Sequence, residues 1–135
     1  MDQAILDAFD ASLRRCNSTS GFLDFFYKRF LASSPKVREK FADTDFVRQK
    51  RALRASLHFM LLAAQDENEG FPAYMEDLAT RHSRKDLGIG AELYDYWLDS
   101  LIDTVRVCDP HCTPEIEQAW EQVMMVGINH LLSRY

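Results

Sequence analysis

Apolar residues recur along this chain at helical spacing, and no segment alternates apolar and polar positions in the manner of a strand. Ile5, Leu6, Phe9 and Leu13 share one side of a predicted helix from Gln3 to about Cys16. The turn-rich stretch from Asn17 to Gly21 then offers several N-cap side chains. A second helix follows with Leu23, Phe26, Tyr27 and Phe30 on one face. Ser34-Pro35 sets a capping serine before a proline at the first helical position, opening a short third helix to about Lys40. Phe41 to Thr44 reads as a corner. Asp43, Thr44 and Asp45 offer caps for a long helix reaching about Gln65, with Phe46, Gln49, Leu53, Leu57, Met60, Leu61 and Ala64 as its inward stripe.

Asp66 to Gly70 is a polar break. From Phe71 or Pro72 another helix carries Met75, Leu78 and His82 inward, and Leu87 to Gly90 makes a glycine-bearing corner. A helix from about Ala91 to Val107 presents Tyr94, Trp97, Leu98, Leu101 and Val105. Thr113-Pro114 repeats the cap-plus-proline signal and starts a final helix with Ile116, Trp120, Val123, Met124, Gly127, Ile128 and Leu131. No repeat or linker divides the chain. The pattern predicts one all-α domain over residues 1–135.

Composition narrows the class. With 135 residues, 47% of them hydrophobic, the chain can bury a substantial core, which excludes disorder. A net charge of −5 argues against a nucleic-acid partner. The acidic start, Met1-Asp2-Gln3-Ala4, is unlike a secretory leader, and the longest apolar run, Phe59 to Ala64, is too short to span a bilayer. Three cysteines, an odd and sparse set, suit a reducing cytoplasm, so a cytoplasmic location away from membranes is expected. Cys108-Asp109-Pro110-His111-Cys112 matches no zinc knuckle and lacks a fourth ligand, so it reads as an exposed loop carrying two thiols. Glu115, Glu117 and Glu121 read as helix-start and surface charges, and no nucleophile–base pair suggests a hydrolase. Sixteen aromatic residues (9 Phe, 5 Tyr, 2 Trp) remain to be placed, in an ordinary core or around something flat.

Two polar side chains stand on apolar stripes, Gln49 and His82, and a buried polar group needs a partner. Taken singly each has an ordinary explanation. His82 could bond a backbone carbonyl in the core, Gln49 could sit at the edge of its stripe, and Tyr27 could hold its hydroxyl at the rim. Their order along the chain adds more: Phe26-Tyr27, then Phe41 after a proline-started helix, then Gln49 and Leu53, then Leu78 and His82 one turn apart. From about Ala8 to Tyr135 this order resembles the globin family, in particular bacterial single-domain globins and haem-sensor globin domains. Phe26-Tyr27-Lys28-Arg29-Phe30, Pro35 to Phe41 and Gln49 to Leu53 carry the likeness.

The resemblance implies a globin fold of about seven to eight helices enclosing heme b (iron protoporphyrin IX). It implies His82 as the axial iron ligand, Leu78 packing on the same face of the haem, and Phe41 stacking on it. Tyr27 and Gln49 correspond to the two distal polar positions and Leu53 to the apolar residue over the iron. Ile89, Tyr94, Trp97 and Met124 complete the walls, and Arg81, Arg84 or Lys85 could meet a propionate. Many globins carry a distal histidine where this chain has Gln49, and His58 points away from the Gln49–Leu53 face. The residue types suit that chemistry: neutral imidazole is a good iron ligand, and a tyrosine hydroxyl and glutamine amide are uncharged donors to a bound dioxygen.

The expected function is reversible binding of dioxygen, with NO and CO as further diatomic ligands, in oxygen binding, scavenging or NO detoxification. Nitric oxide dioxygenase turnover would need a separate reductase. A haem-based gas sensor would act through a signalling partner, and the protein itself is expected to be a monomer or homodimer. A haem-free globin-shaped interaction module has the same periodicity but leaves Tyr27, Gln49 and His82 unexplained. The length is that of about one globin, so any reductase or output module is expected on another chain.

Overall fold

Caps decide where the helices begin. The structure, a computed structural model, describes residues 1–65, 73–82 and 90–133, with the backbone alone for 73–75, 77 and 78. Helix α1 (Gln3–Asn17) starts where the Asp2 carboxylate accepts the Ala4 N–H at 2.9 Å. Helix α2 (Phe22–Ser33) starts at Gly21, whose φ of 82° lies in the left-handed region that favours glycine. Ser34 caps α3 (Pro35–Lys40) by accepting from the Lys36 N–H. Of the three candidate caps for α4 (Phe46–Gln65), Asp45 takes the role, its carboxylate accepting from Val47 and Arg48 at 3.0 and 3.4 Å. The remaining helices are α5 (Ala73–His82), α6 (Ala91–Cys108) and α7 (Pro114–Ser133), the last with Thr113 accepting from the Ile116 N–H. The polar break, the expected start at Phe71 or Pro72, and most of the corner before Ala91 lie outside the described residues. Among the described residues there are seven helices and no strand, the all-α architecture expected.

Helix α7 is the centre of the packing, contacted by α1, α4, α5 and α6, while α2 lies along α6. Trp120 of α7 is fully buried, with Phe9 edge-on at 4.7 Å between centroids and Phe22 at 6.4 Å. Burying each such side chain stabilises the fold by roughly 1.5–3 kcal/mol. Gly127 lets α7 approach α4 closely. A methyl group there would lie 3.1 Å from Cε and Cγ of Met60.

The corner between α6 and α7 corrects the expectation of an exposed loop. Cys108 and Asp109 are buried, and Cys112 is half-buried. Asp109 is tied down by Arg15 of α1, whose Nε and Nη2 donate at 2.6 and 3.0 Å, and by the Ser12 hydroxyl at 2.6 Å. Ser12 in turn accepts from Trp120 Nε1 at 2.8 Å. Burial alone would raise the Asp109 carboxyl, but Arg15, Ser12 and the His111 N–H outweigh it and hold it at about 2. Sequence periodicity shows a loop's residues but not the charged side chain from another helix that draws it inward. Burial also pushes the Cys16 thiol up to about 12, which keeps it protonated. No helix among the described residues is long and apolar enough to cross a membrane.

Candidate functional site

The helices leave a cavity of about 310 Å³, at the lower end of the range typical of small-molecule sites. Its walls come from six helices and the corner before α4. Helix α2 contributes Tyr27 and Phe30, the end of α3 contributes Lys40 with Phe41 beyond it, and the corner contributes Thr44. Gln49, Ala52, Leu53, Ser56 and Met60 form one face of α4, as helical spacing requires. The last turn of α5 brings Arg81 and His82, α6 brings Leu93, Tyr94 and Trp97, and α7 closes the cavity with Ile128 and Leu131.

Two polar groups meet at the α2–α4 side. The Tyr27 hydroxyl donates to the backbone carbonyl of Gln49 at 3.4 Å, long for a bond of this type. Tyr27 is buried, and burial pushes its hydroxyl up to about 12, with hydrogen bonding to Gln49 opposing the shift. It therefore remains a neutral donor around pH 7. Its ring is held by Phe46 at 5.3 Å and Phe41 at 6.3 Å, and Phe41 meets Phe30 edge-on at 5.5 Å.

The α5–α6 side is built around His82, half-buried at the end of its helix. Its ring stacks on that of Tyr94 with centroids 6.5 Å apart and planes 23° from parallel. The Tyr94 hydroxyl is buried and has no hydrogen-bond partner among the described residues. Burial drives it well above the ordinary tyrosine range. An unsatisfied buried hydroxyl costs about 1–3 kcal/mol.

A globin-family model matches residues 24–131. The chain belongs to the globin family. It is similar to a crystal structure of a protein from Pseudomonas aeruginosa PAO1 that is described as structurally highly homologous to a human haemoglobin. The two share 41% identity at a TM-score of 0.90, over 97% of this chain and 98% of the other. A search of curated proteins finds no match.

Within this globin, seven of the residues singled out from sequence line one cavity: Tyr27, Phe41, Gln49, Leu53, His82, Tyr94 and Trp97. Met124 is fully buried in the core, and the α7 part of the wall is made by Ile128 and Leu131 instead. The Leu78 side chain and Ile89 lie outside the described residues. Of the three cations named for a propionate, Arg81 lines the cavity, while Arg84 and Lys85 lie outside the described residues. His58 is exposed on α4. Sequence reasoning did not single out Lys40, Thr44, Ala52, Ser56 or Leu93 as wall residues. Ser56 stands seven positions after Gln49, two helical turns along the same face, and that spacing could have found it. Lys40 and Thr44 carried no such signal.

Proposed function

We propose that this globin binds heme b in the cavity through His82 and reversibly takes up dioxygen and other diatomic ligands beside Tyr27 and Gln49. The observation that carries the proposal is that His82, Tyr27 and Gln49, distant in sequence, line a single chamber otherwise walled largely by apolar and aromatic groups. A bound haem would supply an iron able to accept an imidazole nitrogen, for which His82 is the candidate, and to bind a diatomic gas.

The donor set fits that group. Among the described residues no three His, Cys, Asp or Glu side chains gather into a metal cage, whereas a macrocycle-held iron needs only one imidazole from the protein. The stacked Tyr94 ring restricts the orientation of His82. Tyr94 lines the same chamber, and its buried hydroxyl has no hydrogen-bond partner among the described residues. Lys40 and Arg81 line the cavity as cations suited to the two carboxylates of a haem. Phe41, Leu53 and Trp97 exclude water from the flat faces of such a ligand. Tyr27 and the Gln49 amide offer uncharged donors, which favour a polarised diatomic over an apolar one without burying a net charge.

The test is an absorption spectrum of the purified protein, with haemin titrated into any haem-free fraction. A strong haem band that His82→Ala abolishes or shifts supports the assignment. A colourless protein that takes up no haemin, or a band unaffected by His82→Ala, overturns it.

A further inference from the structure

Helix α4 carries a basic face besides the one that lines the cavity. Its 20 residues include Arg48, Lys50, Arg51 and Arg54 but no carboxylate, within a chain of net charge −5. All four lie in the first half of the helix, and none is in the last turn, where the macrodipole would favour a cation.

Lys50, Arg51 and Arg54 line a cleft of about 270 Å³ against the start of α2, on the side of α4 away from the Gln49–Leu53 face. The cleft holds one carboxylate, that of Asp24, and the Lys50 ammonium engages it at 2.6 Å. Arg51 and Arg54, one helical turn apart and both exposed, have no hydrogen-bond or ion-pair partner among the described residues. Across from them α2 begins at Gly21 without a side-chain cap, and a methyl group on Gly21 would meet nothing within 4 Å. The cleft thus combines an excess of two guanidinium forks with open space.

We propose that this cleft is a binding site for a small polyphosphate, bound through the paired guanidiniums of Arg51 and Arg54. A guanidinium matches phosphate oxygens two at a time, and two guanidiniums one turn apart suit a chain of linked phosphates better than a single anion. The Lys50–Asp24 pair fixes the cleft by joining α4 to α2, and it neutralises the carboxylate that would otherwise repel the ligand. The site stands apart from the haem cavity and does not depend on what that cavity binds.

Calorimetric titration of the purified protein with inorganic tripolyphosphate, and separately with ATP, tests the site at low salt. The probes distinguish phosphate recognition from a contribution of the nucleoside, since the cleft predicts similar affinity for both. Arg51→Gln with Arg54→Gln should weaken binding at least tenfold. A charge-matched control, Arg14→Gln with Arg38→Gln, removes two exposed cations outside the cleft and should change it less than twofold. Circular dichroism of both doubles verifies folding. The proposal is overturned if the native protein binds neither probe, or if the control weakens binding as much as the cleft variant does.

Discussion

The His82 imidazole lies nearly parallel to the phenol ring of Tyr94, with centroids 6.5 Å apart and an interplanar angle of 23°. The contact joins the last turn of α5 to the start of α6 at the cavity wall, and the Tyr94 hydroxyl is buried there without a partner among the described residues. Replacing Tyr94 by Phe keeps the ring and removes the orphan. In the haem-free protein Tyr94→Phe should therefore be neutral or stabilising by up to about 1 kcal/mol, because no bond to a described residue is lost and a desolvated hydroxyl disappears. Urea denaturation of the haem-free protein checks the sign.

Among the described residues the Tyr27 hydroxyl makes a single, long hydrogen bond, to the Gln49 carbonyl, so it contributes little to stability. Tyr27→Phe should cost less than about 1 kcal/mol in unfolding. Its effect should fall on the ligand instead. In the haem-loaded protein the loss of one donor, about 1.4 kcal/mol, corresponds to an oxygen dissociation rate raised about tenfold. Stopped-flow displacement of oxygen measures it, and an unchanged rate would remove Tyr27 from the ligand's surroundings.

Asp109 makes the fold sensitive to acid. Its carboxyl sits at about 2 instead of the ordinary 3.8, so the folded state holds its proton more weakly than the unfolded chain does. The resulting stabilisation is present above pH 3.8 and is lost as pH falls through that value towards about 2. Asp109→Asn should lower stability at pH 7 by about 2–3 kcal/mol, since a charge-assisted bond to Arg15 and a well-matched acceptor for Ser12 are lost. The variant should also show a shallower loss between pH 4 and 2. Denaturation curves across that window decide it.

Gly127 faces the Met60 side chain where α4 and α7 pass closest. Gly127→Leu must displace Met60 into neighbouring core or cavity space, and it should destabilise the fold by about 1–3 kcal/mol. Because Met60 also lines the cavity, haemin uptake should weaken in the same variant, which a titration followed by absorbance would report.

Helix positions were legible in the chain because each repeats a local signal. Ser34 before Pro35, Asp45 before Phe46 and Thr113 before Pro114 are short-range capping chemistry, and the apolar stripes express the 3.6-residue period of the backbone. The order of Tyr27, Phe41, Gln49, Leu53 and His82 suggested one shared chamber through its resemblance to globins. Other features depend on groups distant in sequence, and only the packed structure reveals them. Asp109 is drawn inward by an arginine 94 positions away, so a polar loop became a buried lock. Met124 and Ile128 share the stripe of α7, yet only the crossing of α7 with α4 and α6 settles that Ile128 reaches the cavity and Met124 fills the core. Local backbone chemistry determines which residues form a helix and which face is apolar. Which part of that face meets a neighbour and which part meets a cavity is a property of how helices cross, and no single helix encodes it.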